Sequence, residues 1–161
     1  MAGAMVGMLQ GLENSALAEA IRQSAWLYPI LEIIHIAGIV VLVGAAFLFD
    51  LRLLGFSRNL PVKALAGHLL PWSRRGLLLI IPSGVLLFST NAVSLAADPV
   101  FLVKMILLAS GGVNAGLFHR YVFRSAALWT AGQTPLAAKA AAVCSIAVWL
   151  AVISCGRLLA Y

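Results

Sequence analysis

Four long apolar runs divide the chain, and each is about as long as a helix that crosses a bilayer. They cover residues 26–54, 76–97, 100–119 and 136–158. A transmembrane helix needs about 20 predominantly apolar residues, and short connections make neighbouring helices antiparallel. The pattern therefore predicts an all-α integral membrane protein with a single domain, built as an up-down bundle of four transmembrane helices over residues 1–161.

Polar and proline residues predict where helices begin and end. Segment 13–24 mixes polar and apolar residues just before the first run, so we expect a short interfacial helix there. Asp98 followed by Pro99 is typical of a helix start and predicts that the third helix begins at this pair. Residues 60–70 are predicted to form a brief surface helix, which Pro71 would end.

Composition supports the membrane interpretation. Hydrophobic residues make up 63% of the chain, charged residues 10%, and the mean hydropathy is +1.03. Soluble domains are about half apolar and about a quarter charged. The first twenty residues have no basic start, so we expect no cleaved signal peptide.

The basic residues predict an orientation. The net charge is +6, and eight of the 11 Lys and Arg residues fall on the side of the first-to-second and third-to-fourth connections. Basic residues favour the cytoplasmic side of a membrane protein. We therefore expect a multi-pass protein of the bacterial inner membrane, with both termini on the periplasmic side and no nucleic-acid partner.

Ionisable residues within the apolar runs are the candidates for function, because they are costly in hydrocarbon and usually face the bundle interior. Glu32 and His35 lie three residues apart, on the same helical face. Counting 1.5 Å per residue, His35 lies about 14 Å below the outer interface and Lys104 about 7–8 Å below it. Asn91 falls at a similar depth. We predict that His35, Lys104 and Asn91 meet in the outer leaflet.

Three metal chemistries use residues of these types. A di-iron carboxylate site needs two Glu-x-x-His motifs and two further carboxylates. Inside the apolar runs the sequence provides only one glutamate, Glu32, which is too few. Copper sites favour clusters of Met, Cys and His, but three of the four methionines lie in the N-terminal tail. Cys144 and Cys155 are about 16 Å apart along one helix and have no metal-ligand spacing.

Haem b fits the remaining pattern best. It needs one or two axial imidazoles, room for the ring, and cationic partners for its propionates. His35 would be the axial ligand to the haem iron, and Gly38 would let the ring approach one turn later. Lys104 would pair with a propionate or act as a second essential residue. Glu32 would tune His35 or relay a proton.

The other two histidines are predicted on the cytoplasmic side. His68 precedes the second run and His119 ends the third. They would either be solvated residues at the interface or ligands of a second, inner haem. For His35 itself, the alternative is a structural histidine that is hydrogen-bonded to Glu32 or to a carbonyl group.

Three stretches resemble a known family. These are IHIAGIVVLVGAAFLFDLRL at 34–53, LLLIIPSGVLLF at 77–88 and DPVFLVKMILL at 98–108. They resemble spans of HemJ-type protoporphyrinogen oxidases and, more loosely, of CopD-like membrane domains. The resemblance implies a small four-helix membrane protein that binds haem b, with the family's essential His at His35 and its essential Lys at Lys104. It also implies oxidation of protoporphyrinogen, with electrons passing to quinone.

The sequence thus predicts a haem b protein that transfers electrons between the membrane quinone pool and a periplasmic partner or substrate. Alternatives are a protoporphyrinogen oxidase-like enzyme, a copper or metal transport protein, and a structural small subunit of a membrane complex. Glycine- and alanine-rich faces favour contact with lipid-embedded partners. We therefore expect a homo-oligomer or a subunit of a larger assembly.

Overall fold

The computed structural model of the protein describes residues 2–129 and 134–159, and the regular elements in this part of the chain are all helical. A π-helical turn (Phe118–Val122) and a 3-10 helix (Phe123–Leu128) continue the sixth α-helix. The α-helices in the described ranges are α1 (Ala2–Glu13), α2 (Ala16–Gln23), α3 (Leu27–Leu54), α4 (Val62–Ser89), α5 (Ala92–Ala97), α6 (Pro99–Leu117) and α7 (Leu136–Leu158).

Three helical segments of the described chain are long and apolar enough to cross a membrane. They are Leu27–Leu54, Pro99–Ala126 and Leu136–Leu158. The all-α prediction is confirmed, and the first and fourth predicted runs coincide with α3 and α7. Asp98 begins α6 as predicted, since its Oδ1 accepts hydrogen bonds from the Val100 and Phe101 amides at 2.7 and 3.2 Å.

The second predicted run differs from the structure. The apolar stretch 76–97 is not one helix, because the chain leaves the helical conformation at Asn91, where φ is −151° and ψ is 47°. Pro71 does not end a helix either, since α4 continues through it. A proline removes one backbone hydrogen bond, and packing along a neighbouring helix compensates for that loss. Here α4 packs along α3, so tertiary contact overrides the local signal.

The long helices pack in the order α4, α3, α7, α6. α3 pairs antiparallel with α4 and also contacts α7, which in turn pairs with α6. We call the end where α3 begins and α4 ends the outer end, and the opposite end the inner end. Within α6 (Pro99–Leu117) no residue is buried. Its outer end is held by Phe101, whose ring stacks on Phe88 of α4 at 5.4 Å between centroids.

α3 and α4 approach most closely where two glycines face each other. A Cβ atom placed on Gly76 would lie 2.8 Å from the Leu42 amide nitrogen and 2.9 Å from the Gly38 carbonyl oxygen. A Cβ atom on Gly38 would lie 2.8 Å from Cγ1 of Ile80. Real Cβ atoms essentially never come this close to other heavy atoms, so this crossing requires glycine on both helices. We call it the Gly38–Gly76 crossing.

A compact apolar cluster joins the helices at the inner end. Phe49 packs edge-on against Phe118 and Phe123 at 5.9 and 6.3 Å between ring centroids. The buried members of the cluster are Phe49, Leu53, Val62, Ala66, Phe118, Ala138 and Ala142. Burial of these side chains against one another attaches α4 and α7 to the inner part of α3.

The first two helices close the outer end over the break between α4 and α5. Arg22 Nη1 donates to the Glu13 carbonyl at 2.7 Å and to the Thr90 carbonyl at 3.2 Å. The Glu13 carboxylate accepts from the Val93 amide at 3.0 Å. The predicted interfacial segment 13–24 is represented by α2, and α1 was not predicted.

Replacing Gly76 by Ala should lower the stability of the folded protein, because the new methyl group meets backbone atoms that cannot move aside. Overpacking of this kind costs about 1–3 kcal/mol. The measurement is the thermal unfolding midpoint of the purified protein in detergent, which should fall.

Gly67→Ala on the same helix is the matched control, since a Cβ atom at Gly67 meets no described atom within 4 Å. Alanine is favoured over glycine within helices by roughly 0.5–1 kcal/mol, so this variant should unfold at the same or a higher temperature. An equal loss in both variants would contradict the close crossing.

Candidate functional site

His35 is held by a hydroxyl group on the adjacent helix. Its Nδ1 atom lies 2.9 Å from the Ser83 Oγ atom. The Ser83 hydroxyl is also within hydrogen-bond distance of the Leu79 carbonyl, one turn earlier in α4. A carbonyl oxygen only accepts, and a serine hydroxyl has one hydrogen to donate. Ser83 therefore donates to Leu79 and accepts from His35, so His35 carries a proton on Nδ1.

This hydrogen bond orients the other ring nitrogen of His35. In a neutral imidazole with a proton on Nδ1, Nε2 carries a free lone pair. Among the described residues, Ser83 Oγ lies against Nδ1, and the Ile80 backbone of the same helix also hydrogen-bonds the His35 ring. Histidines that ligate metals are commonly held in this way, with the non-ligating N–H donated to a fixed oxygen.

The Pro82-Ser83-Gly84 segment of α4 forms the seat for the His35 ring. Ser83 is only 2% exposed. A Cβ atom on Gly84 would lie 3.0 Å from Cε1 of His35 and 3.5 Å from its Nδ1. The glycine thus lets the ring lie against the α4 backbone, and the serine fixes its rotation. Sequence analysis could identify this segment as a proline-glycine step but not as the partner of His35.

Lys104 approaches the same region from α6. Its Nζ atom lies 3.7 Å from the position of a Cβ atom on Gly156 of α7, so this glycine leaves room for the ammonium group. Lys104 interacts electrostatically with Cys155 and with His35. His35 and Lys104 therefore both lie at the outer end, near enough for their charges to influence each other, with contributions from α3, α4, α6 and α7. We call these residues the outer site.

Three other predicted members lie elsewhere. Glu32 is exposed, and its electrostatic partner is Tyr28, one turn earlier in α3. Asn91 is exposed at the break between α4 and α5. Gly38 faces α4 at the Gly38–Gly76 crossing, so the space beside it is filled by Ile80 and Leu79 and is not open to a flat ligand.

The two remaining histidines lie towards the inner end. His68 is exposed on the first half of α4. The His119 Nδ1 atom lies 2.8 Å from the Ala115 carbonyl oxygen and therefore donates to it. Its Nε2 atom is buried without a hydrogen-bond partner among the described residues. The His119 ring stands edge-on to Phe118 at 5.4 Å between centroids.

Asp50 is a buried polar residue that sequence analysis did not select. It lies four residues before the end of α3 and is 6% exposed. Arg52 follows two residues later, a spacing at which side chains on a helix do not face each other. Arg52 instead donates to the Leu60 and Arg58 carbonyls at 2.6 and 3.2 Å. The sequence signal that could have identified Asp50 is its position inside, and not beyond, the first apolar run.

Clustered metal ligands are absent from the described ranges. Within residues 2–129 and 134–159, no group of three or more His, Cys, Asp and Glu side chains could hold a metal ion. Of the predicted metal chemistries, a di-iron or copper cluster would need such a group. Haem iron takes one or two axial ligands from the protein, so a single oriented histidine is compatible with it.

Comparison with known proteins identifies a family without an assigned activity. A family model described as a family of unknown function (DUF6644) matches residues 17–161. The matched range begins within α2 and includes the whole outer site. No curated protein and no solved structure matches the chain. The resemblance to HemJ-type and CopD-like proteins therefore stays an expectation from the sequence.

Replacing Ser83 by Ala should loosen the His35 ring, because its Nδ1–H loses the hydroxyl oxygen that accepts it and the Ile80 backbone is left as its partner on α4. Nitrogen-15 NMR of histidine-labelled protein reports which ring nitrogen carries the proton, and the chain has three histidines. We expect His35 to show a protonated Nδ1 in the wild type and a mixture of tautomers in Ser83→Ala. The His68 signal should not change, and a wild-type His35 with an unprotonated Nδ1 would contradict the arrangement.

Proposed function

The chain belongs to the DUF6644 family, a family of unknown function, and from its outer site we propose that it is a membrane protein that binds haem b and transfers electrons. The observation that carries the proposal is the state of His35. It lies within an apolar helix, Ser83 fixes its ring, and the lone pair of its Nε2 is left for a ligand. Ionisable residues within membrane-spanning helices usually mark functional sites.

The residues of the outer site fit a haem group. His35 would supply the axial nitrogen, and Ser83 would hold the ring in the tautomer that ligation requires. Lys104 interacts electrostatically with His35, and its ammonium group would pair with a propionate. When bound, the haem iron would supply reversible one-electron transfer.

α6 is the element that would adjust to admit a planar ligand. It carries Lys104, and within Pro99–Leu117 no residue is buried. Its described contacts near the two ends are the Phe88–Phe101 ring pair and a hydrogen bond from Asn114 Nδ2 to the Ala141 carbonyl at 3.0 Å. Between these points α6 packs along α7, where a Cβ atom on Gly111 would lie 3.3 Å from Cγ1 of Val148, so α6 and α7 would adjust together.

The membrane arrangement is part of the same proposal. α4 would be a fourth span beside the three candidate spans, with Trp72 at the inner interface. The Trp72 side chain is 49% exposed, and the Arg75 guanidinium lies 4.7 Å above its ring, an arrangement suited to the headgroup region. The distribution of basic residues would place both termini on the periplasmic side of a bacterial inner membrane. Electrons would then pass between membrane quinone and a periplasmic partner.

The test of haem binding is a reduced-minus-oxidised absorption spectrum of the purified protein, before and after reconstitution with haem b. We expect a Soret band and an α-band in the wild type. His35→Ala should lose both, because it removes the axial nitrogen.

His68→Ala and His119→Ala are the matched controls, and both should keep the wild-type spectrum. If the wild type shows no haem bands after reconstitution, the haem proposal is wrong. Elemental analysis for copper would then test the metal transport alternative. If only His119→Ala loses the haem bands, the axial ligand is His119 at the inner end and not His35.

Replacing Lys104 by Met should weaken haem binding without abolishing it, because the shape is kept but the charge is lost. A hydrogen bond to a charged group contributes about 1.5–3 kcal/mol, which is roughly 10- to 150-fold in the dissociation constant. Titration of haem-free protein with haem b measures this change. The control is Lys63→Met, at an exposed lysine near the start of α4, and it should bind haem b as the wild type does. Equal weakening in both variants would show that Lys104 does not contact the haem.

A further inference from the structure

Asp50 is a second polar centre on α3, separate from the outer site. Its Oδ2 atom is buried without a hydrogen-bond partner among the described residues. The carboxyl group interacts with the hydroxyl of Ser145 on α7, so Ser145 faces the other oxygen. Asp50 and His35 are fifteen residues apart on one helix, about 22 Å along its axis, so Asp50 lies outside the proposed haem region.

The surroundings of Asp50 provide no positive charge in the described part of the chain. On its own helix, Arg52 donates to the Leu60 and Arg58 carbonyls. From α7, the group that faces Asp50 is the Ser145 hydroxyl, and Lys139 lies six residues earlier in that helix, about 9 Å along the axis.

The other elements packed against this part of α3 contribute mainly apolar side chains. α4 contributes Val62 and Ala66 to the inner cluster, and its Lys63 and His68 are exposed. The π-helical turn contributes Phe118 to the same cluster, and the 3-10 helix places Phe123 against Phe49. The next residue after Phe118, His119, donates its Nδ1 proton to its own helix, and its Nε2 atom is buried without a hydrogen-bond partner among the described residues.

An ionised carboxylate in this position would be strongly disfavoured. Transferring an unpaired charge into the interior costs several kcal/mol even after relaxation, and one hydroxyl group does not replace the water that a carboxylate loses. A neutral carboxylic acid needs far fewer hydrogen bonds. We propose that Asp50 is a proton-binding residue, which takes up a proton as the pH falls from neutral to mildly acidic and exchanges it with water at the inner end.

A proton fits this site better than a metal ion does. Calcium and magnesium take six or more oxygen ligands, whereas the structure brings one carboxyl group and one hydroxyl group together here. A proton that leaves Asp50 has a short path to water at the inner end, because Asp50 is four residues from the end of α3, about 6 Å along the helix.

The test is infrared spectroscopy of the full-length protein with carbon-13 in the aspartate side-chain carboxyl group. The chain contains two aspartates, Asp50 and Asp98. Asp98 accepts hydrogen bonds from two backbone amides at the start of α6. At pH 5 we expect one isotope-shifted band of a protonated carboxyl group, which moves further in heavy water and weakens as the pH is raised to 8.

Asp50→Asn should lose this band, and Asp98→Ser, which keeps a capping side chain, should retain it. If Asp50→Asn does not fold, retention of the band in Asp98→Ser still assigns it to Asp50, because the chain has two aspartates. An aspartate signal in the carboxylate region alone would overturn the proposal, and so would a protonated band that heavy water does not shift. The measurement needs no haem, so its outcome is independent of the spectrum that tests the outer site.

Discussion

The close approach of α3 and α4 at the Gly38–Gly76 crossing sets the position of the Ser83 hydroxyl against the His35 ring. With no side chain between them, the two backbones come near enough for the Ser73 hydroxyl to donate to the Leu42 carbonyl at 3.3 Å. His35 lies one turn from this crossing on α3, and Ser83 lies two turns from it on α4. A wider separation of the helices would take the Ser83 hydroxyl away from the His35 ring, and Gly84 would no longer be needed beside it.

The two polar centres of α3 are stabilised in different ways. At the outer site, His35 has a hydrogen-bond partner on another helix, the Ser83 hydroxyl. At the inner end, Asp50 has one hydroxyl partner and an oxygen with none in the described chain. A hydrogen-bond network in which every group has a partner holds its side chains in one geometry. A buried polar group without a partner costs free energy, and this cost is larger when the group is charged. We therefore regard the first centre as suited to holding a ligand and the second to changing its protonation.

Helix positions could be predicted from the sequence wherever a helix is apolar throughout. The bounds of α3 and α7 follow from the length of their apolar runs, and the start of α6 follows from the Asp98-Pro99 pair. The break at Asn91 could not be predicted in this way, because the residues after it are as apolar as those before it. Likewise, α1 contains three glycines, which are unfavourable in a helix. Its glutamate, Glu13, is nevertheless bonded to the α5 backbone.

For the outer site, the depth of each residue along its helix could be predicted from the sequence, but the neighbouring helix that its side chain faces could not. A constant rise per residue places His35 and Lys104 at comparable levels, and the structure brings them into electrostatic contact. Which side of a helix faces its neighbour depends on segments distant in sequence. For this reason the partner of Gly38 is a second helix and not a ligand, and the partner of Asp50 is Ser145, 95 residues away.

The break after α4 also has a consequence for the bilayer itself. In the proposed arrangement, α4 offers the membrane only the stretch from Trp72 to Ser89, about 26 Å of helix. Its antiparallel neighbour α3 is 28 residues long, about 42 Å. A hydrocarbon core is about 30 Å thick, so one helix is too short for it and the adjoining one too long. The crossing prevents them from tilting independently, and the lipid must adapt instead. The bilayer would be thinned along α4, and hydrophobic mismatch would favour membranes of lower thickness.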